Sequence, residues 1–328
     1  MKTPVPKIQI RHLVLDPPLL LAPMAGLTHS ALRQILLGFG GVGLLSTEML
    51  GARRVPNENP GVSPYLIRTP AEKPLSYQLL VASADEIGPA VDALHKLKAD
   101  ALDLNMGCPA PSVRRIGAGI RLMEMPGTVR AIVREARRRT ELPLSAKIRI
   151  GSNADDRGFE DFCAMLQDEG IDLLSIHARY KHESFARRPR WETIAQVKKR
   201  LSIPIIANGG IFTTDDARQC LRLSGADGLM LGRGAAMKPW LFAEIARTLY
   251  GCDTPEPEVV LPDLYFTYID NLCALFRPEH RLGRLKEFTH YFAKNYTFGH
   301  HLASRVQSSA SMEEASERAR VFFESRAE

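Results

Sequence analysis

The stretch from residue 203 to residue 234, IPIIANGGIFTTDDARQCLRLSGADGLMLGRG, decides the fold. Two short apolar runs, at 203–207 and 228–231, predict buried strands. Between them, residues 214–224 have helical spacing, and Thr214 stands before two acidic residues that favour a helix start. A strand, a helix and a second strand follow one another here, which is typical of α/β folds.

The same alternation extends back through the preceding chain. Strands are predicted at 19–22, 43–46, 75–79, 101–104, 144–148, 173–176, 203–207 and 228–231. Helices are predicted at 30–39, 84–97, 126–140, 159–169, 191–201, 214–224 and 239–249. Eight strands, mostly followed by helices, predict a (β/α)8 TIM barrel. Residues 47–74 are rich in Pro, Asn and Arg, so they predict a long loop.

The alternation stops at 252–257, CDTPEP, because two prolines in three residues cannot continue a helix. Beyond this linker, only helical patterns follow, at 264–276, 282–294 and 312–324. We therefore expect two domains, a barrel at residues 1–250 and a small C-terminal helical domain at residues 256–328.

Composition narrows the class of protein. The chain has 328 residues, of which 45% are hydrophobic and 24% charged, as in ordinary globular proteins. No apolar run approaches the ~20 residues that span a membrane, and the first residues lack the apolar core of a signal peptide. The five cysteines are scattered, without metal-ligand spacing. We therefore expect a cytoplasmic protein with no membrane association and no metal.

Charge is distributed unevenly along the chain, whose formal net charge is +6. Residues 1–249 contain 34 Lys+Arg against 25 Asp+Glu, whereas the remainder contains 9 against 12. A basic larger domain suits a polyanionic partner, although many metabolic enzymes are equally basic. Charge alone therefore leaves nucleic acid and small metabolites open.

Polar residues stand at or just after the C-terminal ends of the predicted strands, at the face where barrels carry their active sites. They include Gln78, Asn105, Cys108, Lys147, Arg149, His177, Arg179, Asn208, Gly209, Gly210, Gly232 and Arg233. The glycine loops after strands seven and eight predict a phosphorylated cofactor, because glycine lets backbone N–H groups approach phosphate. Lys147 is suited to stabilising negative charge on a reduced cofactor ring.

Cys108 stands in NMGCP, on the loop that leaves the strand predicted at 101–104. Gly107 and Pro109 fix this loop, so the thiol can be aimed. A lone thiol is more often a small buried apolar group than a reactive one. Here the polar residues at the other strand ends favour a function, as a nucleophile or as a proton donor.

Six motifs together resemble the tRNA-dihydrouridine synthase family. They are LLLAPMAGLTHSALR (19–33), NMGCP (105–109), AKIRIG (146–151), HAR (177–179), PIIANGGI (204–211) and LMLGRGA (229–235). The resemblance covers the whole barrel in order, and the helical tail less distinctly. It implies reduction of a uridine in tRNA to 5,6-dihydrouridine, with FMN as cofactor and NADPH as electron donor. It also implies that the tail binds RNA.

The resemblance assigns roles to individual residues. Those implied to hold FMN are Pro23, Met24, Ala25, Gln78, Lys147, His177, Asn208, Gly209, Gly210, Gly232 and Arg233. Cys108 is implied as the general acid. Reduction of the C5=C6 bond needs hydride at C6, which reduced flavin supplies, and a proton at C5, which a thiol can donate at neutral pH. The stacked base must first be drawn out of the RNA.

Candidate substrate and RNA contacts lie in two groups. Those expected on the active face are Asn105, Arg149, Arg179, Lys181, Arg187 and Arg188. Those expected as a basic stripe on the tail are Arg277, Arg281 and Arg284. The chain departs from the family's common pattern at Ser112 (lysine), Arg190 (acidic) and Arg121 (small), and within residues 177–185, which read HARYKHESF in place of HGRTRxQxY. These departures leave the flavin site intact and change the substrate face.

Two other functions remain open from the sequence. A flavin barrel of the dihydropyrimidine or dihydroorotate dehydrogenase type would act on a free metabolite with similar chemistry, but it would not need the helical tail and the arginines of the active face. An RNA-binding relative without catalysis would not need Cys108, Lys147 and His177 together. We expect a monomer. The reduced position, tRNA or rRNA as the substrate, and NADPH or NADH as the donor stay open.

Overall fold

Eight parallel strands form a nearly closed barrel, preceded by a two-stranded hairpin. A computed structural model describes residues 7–151 and 156–325. Its strands are β1 (Ile8–Ile10), β2 (Leu13–Leu15), β3 (Leu19–Leu21), β4 (Leu45–Gly51), β5 (Leu75–Leu80), β6 (Ala101–Met106), β7 (Leu144–Arg149), β8 (Leu173–His177), β9 (Ile205–Asn208) and β10 (Gly228–Leu231). From β4 to β10 each strand pairs with the next, and β10 pairs with β3. A bridge between Leu20 and Leu44 brings β3 to β4, so the predicted TIM barrel is confirmed.

The barrel strands are short and buried along their length, as parallel strands covered by helices must be. The strand predicted at 203–207 begins only at Ile205, because Pro204 has no N–H to give the ladder. The bounds predicted for the strand at 43–46 were wrong. Strand β4 runs from Leu45 to Gly51 and so includes the first five residues of the predicted loop. Its register against β5 shifts between Ser46 and Met49, and two buried polar residues, Thr47 and Glu48, hid it from hydrophobic patterning.

Nine helices of the barrel region cover its outside or follow its strands in the described residues. They are α1 (Ser30–Phe39), α2 (Ile87–Lys96), α3 (Pro111–Arg115), α4 (Pro126–Arg139), α5 (Asp156–Asp168), α6 (Trp191–Arg200), α7 (Thr214–Ser224), α8 (Arg233–Met237) and α9 (Leu241–Tyr250). The short helices α3 and α8 were not predicted. At α7, Thr213 and Asp216 form a reciprocal capping box, and Gly225 ends the helix in the left-handed conformation.

The hairpin of β1 and β2 was also not predicted from the sequence. Ile8, Ile10 and Leu15 are buried and pack with inward residues of the barrel, among them Leu20 and Ile206. This second apolar cluster is separate from the main core that lies between strands and helices. The hairpin therefore contributes to filling the barrel interior.

In the part of the tail that the structure describes, up to residue 325, there are four α-helices. They are α10 (Leu261–Leu275), α11 (Arg281–Phe292), α12 (His300–Gln307) and α13 (Met312–Glu324). The eight-residue α12 was not predicted, because it buries only Leu302 and Val306. α10 packs against α1, and α11 packs against α8 at the barrel mouth. No helix in the described ranges has the length and apolarity required to cross a membrane.

Candidate active site

A cavity of about 450 Å³ opens at the C-terminal ends of the barrel strands, between the barrel and α11. It lies where TIM barrels carry their active sites and has the size of a cofactor pocket. The predicted residues that line it are Pro23, Met24, Ala25, Asn105, Cys108, Lys147, Arg149, His177, Asn208, Gly209, Gly210, Gly232 and Arg233. The structure therefore brings together most of the residues that the sequence assigned to the site.

The loops after β9 and β10 are rich in glycine, and both line the cavity. Gly209 has φ +105°, and a Cβ there would lie 2.5 Å from Cδ2 of His177. Gly210 has φ +73°, and its Cβ would lie 2.7 Å from Cγ of Pro189. Both positions thus require glycine for backbone conformation and for space. Backbone replaces side chain at this wall, which suits a bulky ligand with a phosphate.

Lys147 places a cation in the cavity from β7. Its Nζ donates a hydrogen bond of 2.9 Å to Oδ1 of Asn208, and Nδ2 of Asn208 donates to the carbonyl of Met230 at 2.7 Å. Loss of hydration lowers the pKa of Lys147 to about 8, and nearby Arg149 lowers it further while Asp103 opposes the shift. Lys147 is therefore a held cation whose charge changes close to neutral pH.

His177, at the end of β8, is neutral. Burial lowers its pKa well below the ordinary value, and the surrounding cations Lys147, Arg149, Arg179 and Arg233 lower it further. Its Nε2 lies 2.9 Å from Nη1 of Arg179, which can only donate. Nε2 of His177 must therefore accept, and the proton of the neutral ring sits on Nδ1. The ring offers this Nδ1–H as a donor.

The loop that carries Cys108 is held from two sides. Oδ1 of Asn105 accepts hydrogen bonds from the N–H groups of Gly107 (3.2 Å) and Cys108 (3.0 Å). On the other side, the N–H of Ile120 donates to the carbonyl of Cys108 at 3.1 Å. Gly119, with φ +64°, packs so closely that a Cβ would lie 2.5 Å from that carbonyl oxygen. The partly exposed thiol thus stands on a fixed backbone.

Gln78 does not line the cavity. It is fully buried on β5 and lies behind Asn105, whose Nδ2 donates to Oε1 of Gln78 at 2.8 Å. Its own Nε2 donates to Oδ2 of Asp103 at 2.5 Å. Asp103, which sequence reasoning missed, is 5% exposed, and its pKa is raised by burial although Ser145 and Gln78 donate to it.

The segment after β8 is organised by arginines. Arg179 is buried and donates to the carbonyls of Phe185 and Arg187. In this loop the Phe185 ring stacks on the His177 ring, with 5.9 Å between ring centroids. The guanidinium carbon of Arg233 lies 4.4 Å from the centroid of the Phe185 ring. Burial, together with Arg233 and Arg149, lowers the pKa of Arg179 to about 10. Arg179 therefore shapes the loop and is not available at the surface.

The other candidate RNA contacts of the active face differ in their surroundings. Lys181 pairs with Glu124 at 2.6 Å. Arg187 is exposed, and Arg188, also exposed, lies 5.4 Å from the Trp191 ring. Arg187 and Arg188 thus present charge outside the cavity.

The three tail arginines do not form one exposed stripe. Arg277 is exposed, whereas Arg281 donates to the carbonyls of Phe276 and Cys273 within the tail. The side chain of Arg284 is only 11% exposed and lies 3.5 Å from Glu48 of β4, which is 4% exposed. Arg284 therefore joins the tail to the barrel.

Three residues of α11 and one in the turn that follows it line the cavity, and none was predicted as part of the site. They are Glu287, His290, Tyr291 and Lys294. Their spacing of three, four and seven residues places them on one helix face, which was a signal present in the sequence. Only the docking of the tail shows that this face meets the mouth. No group of three or more potential metal ligands occurs among the residues described.

Comparison with known proteins gives the family. The model of the dihydrouridine synthase family matches residues 20–326. A "tRNA-dihydrouridine(16) synthase" of Pseudomonas putida is 34% identical over 286 residues, which are 84% of this chain and 88% of the relative. The "tRNA-dihydrouridine synthase B" of Escherichia coli is 34% identical over 263 residues, 80% of either chain.

Similar solved structures support the fold alone, since their sequence identity is low. An old yellow enzyme homologue from Zymomonas mobilis superposes with a TM-score of 0.54 at 11% identity, covering 85% of this chain and 98% of that one. A 2-naphthoyl-CoA reductase gives a TM-score of 0.56 at 12% identity and covers 81% of this chain. The present chain spans 55% of that reductase.

Proposed function

The chain belongs to the dihydrouridine synthase family of oxidoreductases, and from this premise we propose that it reduces a uridine of tRNA to 5,6-dihydrouridine with FMN and NADPH. The observation that supports the proposal is the cavity at the barrel mouth. It unites Cys108, Lys147 and His177 with two glycine loops. The relatives named for this activity cover most of the chain, which supports tRNA as the substrate.

The residues present fit FMN. Gly209, Gly210, Gly232 and Arg233 would hold its phosphate end, because they combine an accessible backbone with a cation. Lys147 would face the polar edge of the flavin ring, and Pro23, Met24 and Ala25 would line the ring itself. When bound, the flavin supplies the hydride that C6 of the uracil requires.

The chain's own groups supply the remaining chemistry. Cys108 donates a proton to C5, from a loop that hydrogen bonds hold in place. Lys147 offers positive charge where negative charge develops, and neutral His177 offers an N–H donor without adding a charge. Asn105 and Arg149 line the same cavity and would contact the base.

RNA would bind across the barrel mouth and the tail. The cavity of about 450 Å³ has the size of a small-molecule pocket, so the body of the RNA must lie outside it. Lys181, Arg187 and Arg188 would contact phosphates. The two arginines line a neighbouring cavity that shares Phe185 with the first, and α11 contributes to the wall of the first cavity. We assign catalysis to the barrel at residues 1–250 and RNA binding to the helical domain at residues 256–328, acting as a monomer.

A dehydrogenase acting on a free metabolite is not favoured. Its chemistry would use the same thiol and flavin, so the catalytic residues do not separate the two functions. The similar proteins are named for tRNA, however, and the family model matches through most of the tail. A free pyrimidine would also not need the exposed Arg187 and Arg188 beside the cavity.

The deciding experiment compares Cys108→Ala with Cys273→Ala, which changes an exposed thiol on α10. Purified protein should be yellow and should release FMN on denaturation. Cys108→Ala should keep FMN and NADPH oxidation but lose ~10²–10⁴-fold in dihydrouridine formation on tRNA. Cys273→Ala should behave as wild type.

Two results would contradict the proposal. Colourless protein that takes up no FMN would remove the cofactor. Wild-type product formation by Cys108→Ala in single-turnover assays would remove the thiol from the reaction. Mapping dihydrouridine in RNA from cells with and without this gene identifies the reduced position and separates tRNA from rRNA.

A further inference from the structure

Asp103 is a buried carboxylate at one end of a hydrogen-bond chain whose other end is the Cys108 loop. It lies on β6, two residues before Asn105, and accepts from Ser145 Oγ and from Gln78 Nε2, both at 2.5 Å. It does not line the cavity and has no part in the chemistry described above. A buried carboxylate is costly unless hydrogen bonds satisfy it.

The hydrogen bonds of this chain run in one direction, from the backbone N–H groups of the Cys108 loop to Asp103. Oδ2 of Asp103 accepts from the NH₂ group of Gln78 at 2.5 Å. The carbonyl of Gln78 is thereby turned to Asn105 and accepts from its Nδ2 at 2.8 Å. The carbonyl of Asn105 is in turn left to accept from the N–H groups of Gly107 and Cys108. Reversal of either amide would oppose donor to donor.

We propose that Asp103 is a positioning residue, which orients the Gln78 and Asn105 amides and thereby fixes the backbone that aims the Cys108 thiol into the cavity. The inference rests on the proposed function only where it assigns proton donation to Cys108. The position of the loop is a property of the protein without tRNA. In this orientation Asn105 Nδ2 donates one of its two hydrogens to Gln78, and the other hydrogen is not used in that bond.

An electrostatic role through Lys147 is the competing explanation, because Asp103 opposes the lowering of the Lys147 pKa. The two roles need different features of Asp103. Positioning needs an acceptor oxygen facing Gln78, whereas the effect on Lys147 needs a negative charge. Asn supplies the acceptor without the charge, since Ser145 Oγ can accept from its NH₂ group. Leu supplies neither feature at similar size.

The test measures alkylation of Cys108 by iodoacetamide in protein whose Cys252 and Cys273 are replaced by Ser. The other two cysteines, Cys163 and Cys220, are fully buried. Asp103→Leu should raise the alkylation rate about fivefold, the ratio that corresponds to one net hydrogen bond. Asp103→Asn should stay near the wild-type rate. Single-turnover dihydrouridine formation should fall ~10–10²-fold in Asp103→Leu, with flavin reduction by NADPH unchanged.

Gln78→Leu breaks the same chain without touching the carboxylate, so it tests the proposal even if Asp103→Leu fails to fold. It should reproduce the faster alkylation, and the double variant should add nothing to either single change. Ser145→Ala is the matched control, since it removes a hydrogen bond to Asp103 outside the chain, and it should leave alkylation unchanged.

Three outcomes would overturn the inference. Equal effects of Asp103→Asn and Asp103→Leu on alkylation would assign the role to charge. A lower unfolding temperature with unchanged alkylation in Asp103→Leu and Gln78→Leu would make the chain merely structural. Additive effects in the double variant would separate the two residues. Product formation by Cys108→Ala tests whether Cys108 is the proton donor. The alkylation rates test the position of the loop, whatever that result is.

Discussion

Arg284→Met should destabilise the protein through the barrel–tail contact and leave intrinsic RNA affinity unchanged. The change leaves Glu48 buried without its cation, and removing one partner of a buried pair typically costs about 3–5 kcal/mol. Two features reduce this cost. The ions are 3.5 Å apart, and burial already raises the pKa of Glu48, so its carboxyl can take up a proton. We therefore expect a loss of about 2–3 kcal/mol at neutral pH.

This loss should lower the unfolding temperature by about 3–4 °C in calorimetry, given the unfolding entropy of a chain of this length. The loss should shrink as the pH falls, because burial raises the pKa of Glu48 and its carboxyl regains stability as it is protonated. Arg277→Met, at an exposed position, is the control. The double variant with Glu48→Gln should recover part of the loss, since no unpaired charge remains. An unchanged unfolding temperature together with weaker tRNA binding in Arg284→Met would refute the reasoning and restore Arg284 as an RNA contact.

Three further predictions concern the cavity. FMN affinity should be constant below about pH 8 and fall above it, because Lys147 loses its charge there; fluorescence titration of Lys147→Met should show no such fall. Gly209→Ala should weaken FMN binding at least ~10-fold by equilibrium dialysis, because its φ of +105° and the 2.5 Å approach to His177 leave no room; unchanged affinity would contradict this account. Tyr291→Ala and Lys294→Ala should raise KM for tRNA and leave FMN affinity intact, and a reverse pattern would place α11 against the cofactor alone.

Parallel topology explains why much of the site was predictable. In a (β/α)8 barrel all strands end at the same face. The residues at the C-terminal end of each strand therefore line the cavity there, and they can be listed from the sequence without any distance. Cys108, Lys147 and His177 were found in this way, and all three line one cavity. The glycine loops were predictable for the same reason.

Residues that act through tertiary packing could not be predicted. Asp103 lies inside a strand that was predicted from its apolar residues. Its role is indicated only by its contacts with Gln78 and Ser145. Arg284 has the spacing of a surface stripe, yet docking of the tail buries it against Glu48. Strand β4 was missed beyond residue 46 because its buried polar side chains break the hydrophobic pattern.

Because α11 forms part of the cavity wall, the cavity cannot be complete before α11 has been synthesised. The last barrel strand ends at Leu231, but α11 begins only at Arg281. Because a chain leaves the ribosome from its N-terminus, the strands and glycine loops emerge while one side of the pocket is still untranslated. The barrel mouth is therefore open on that side until the tail docks, and a cofactor that enters earlier meets an incomplete enclosure. The cavity is complete only after α11 has been synthesised and has docked.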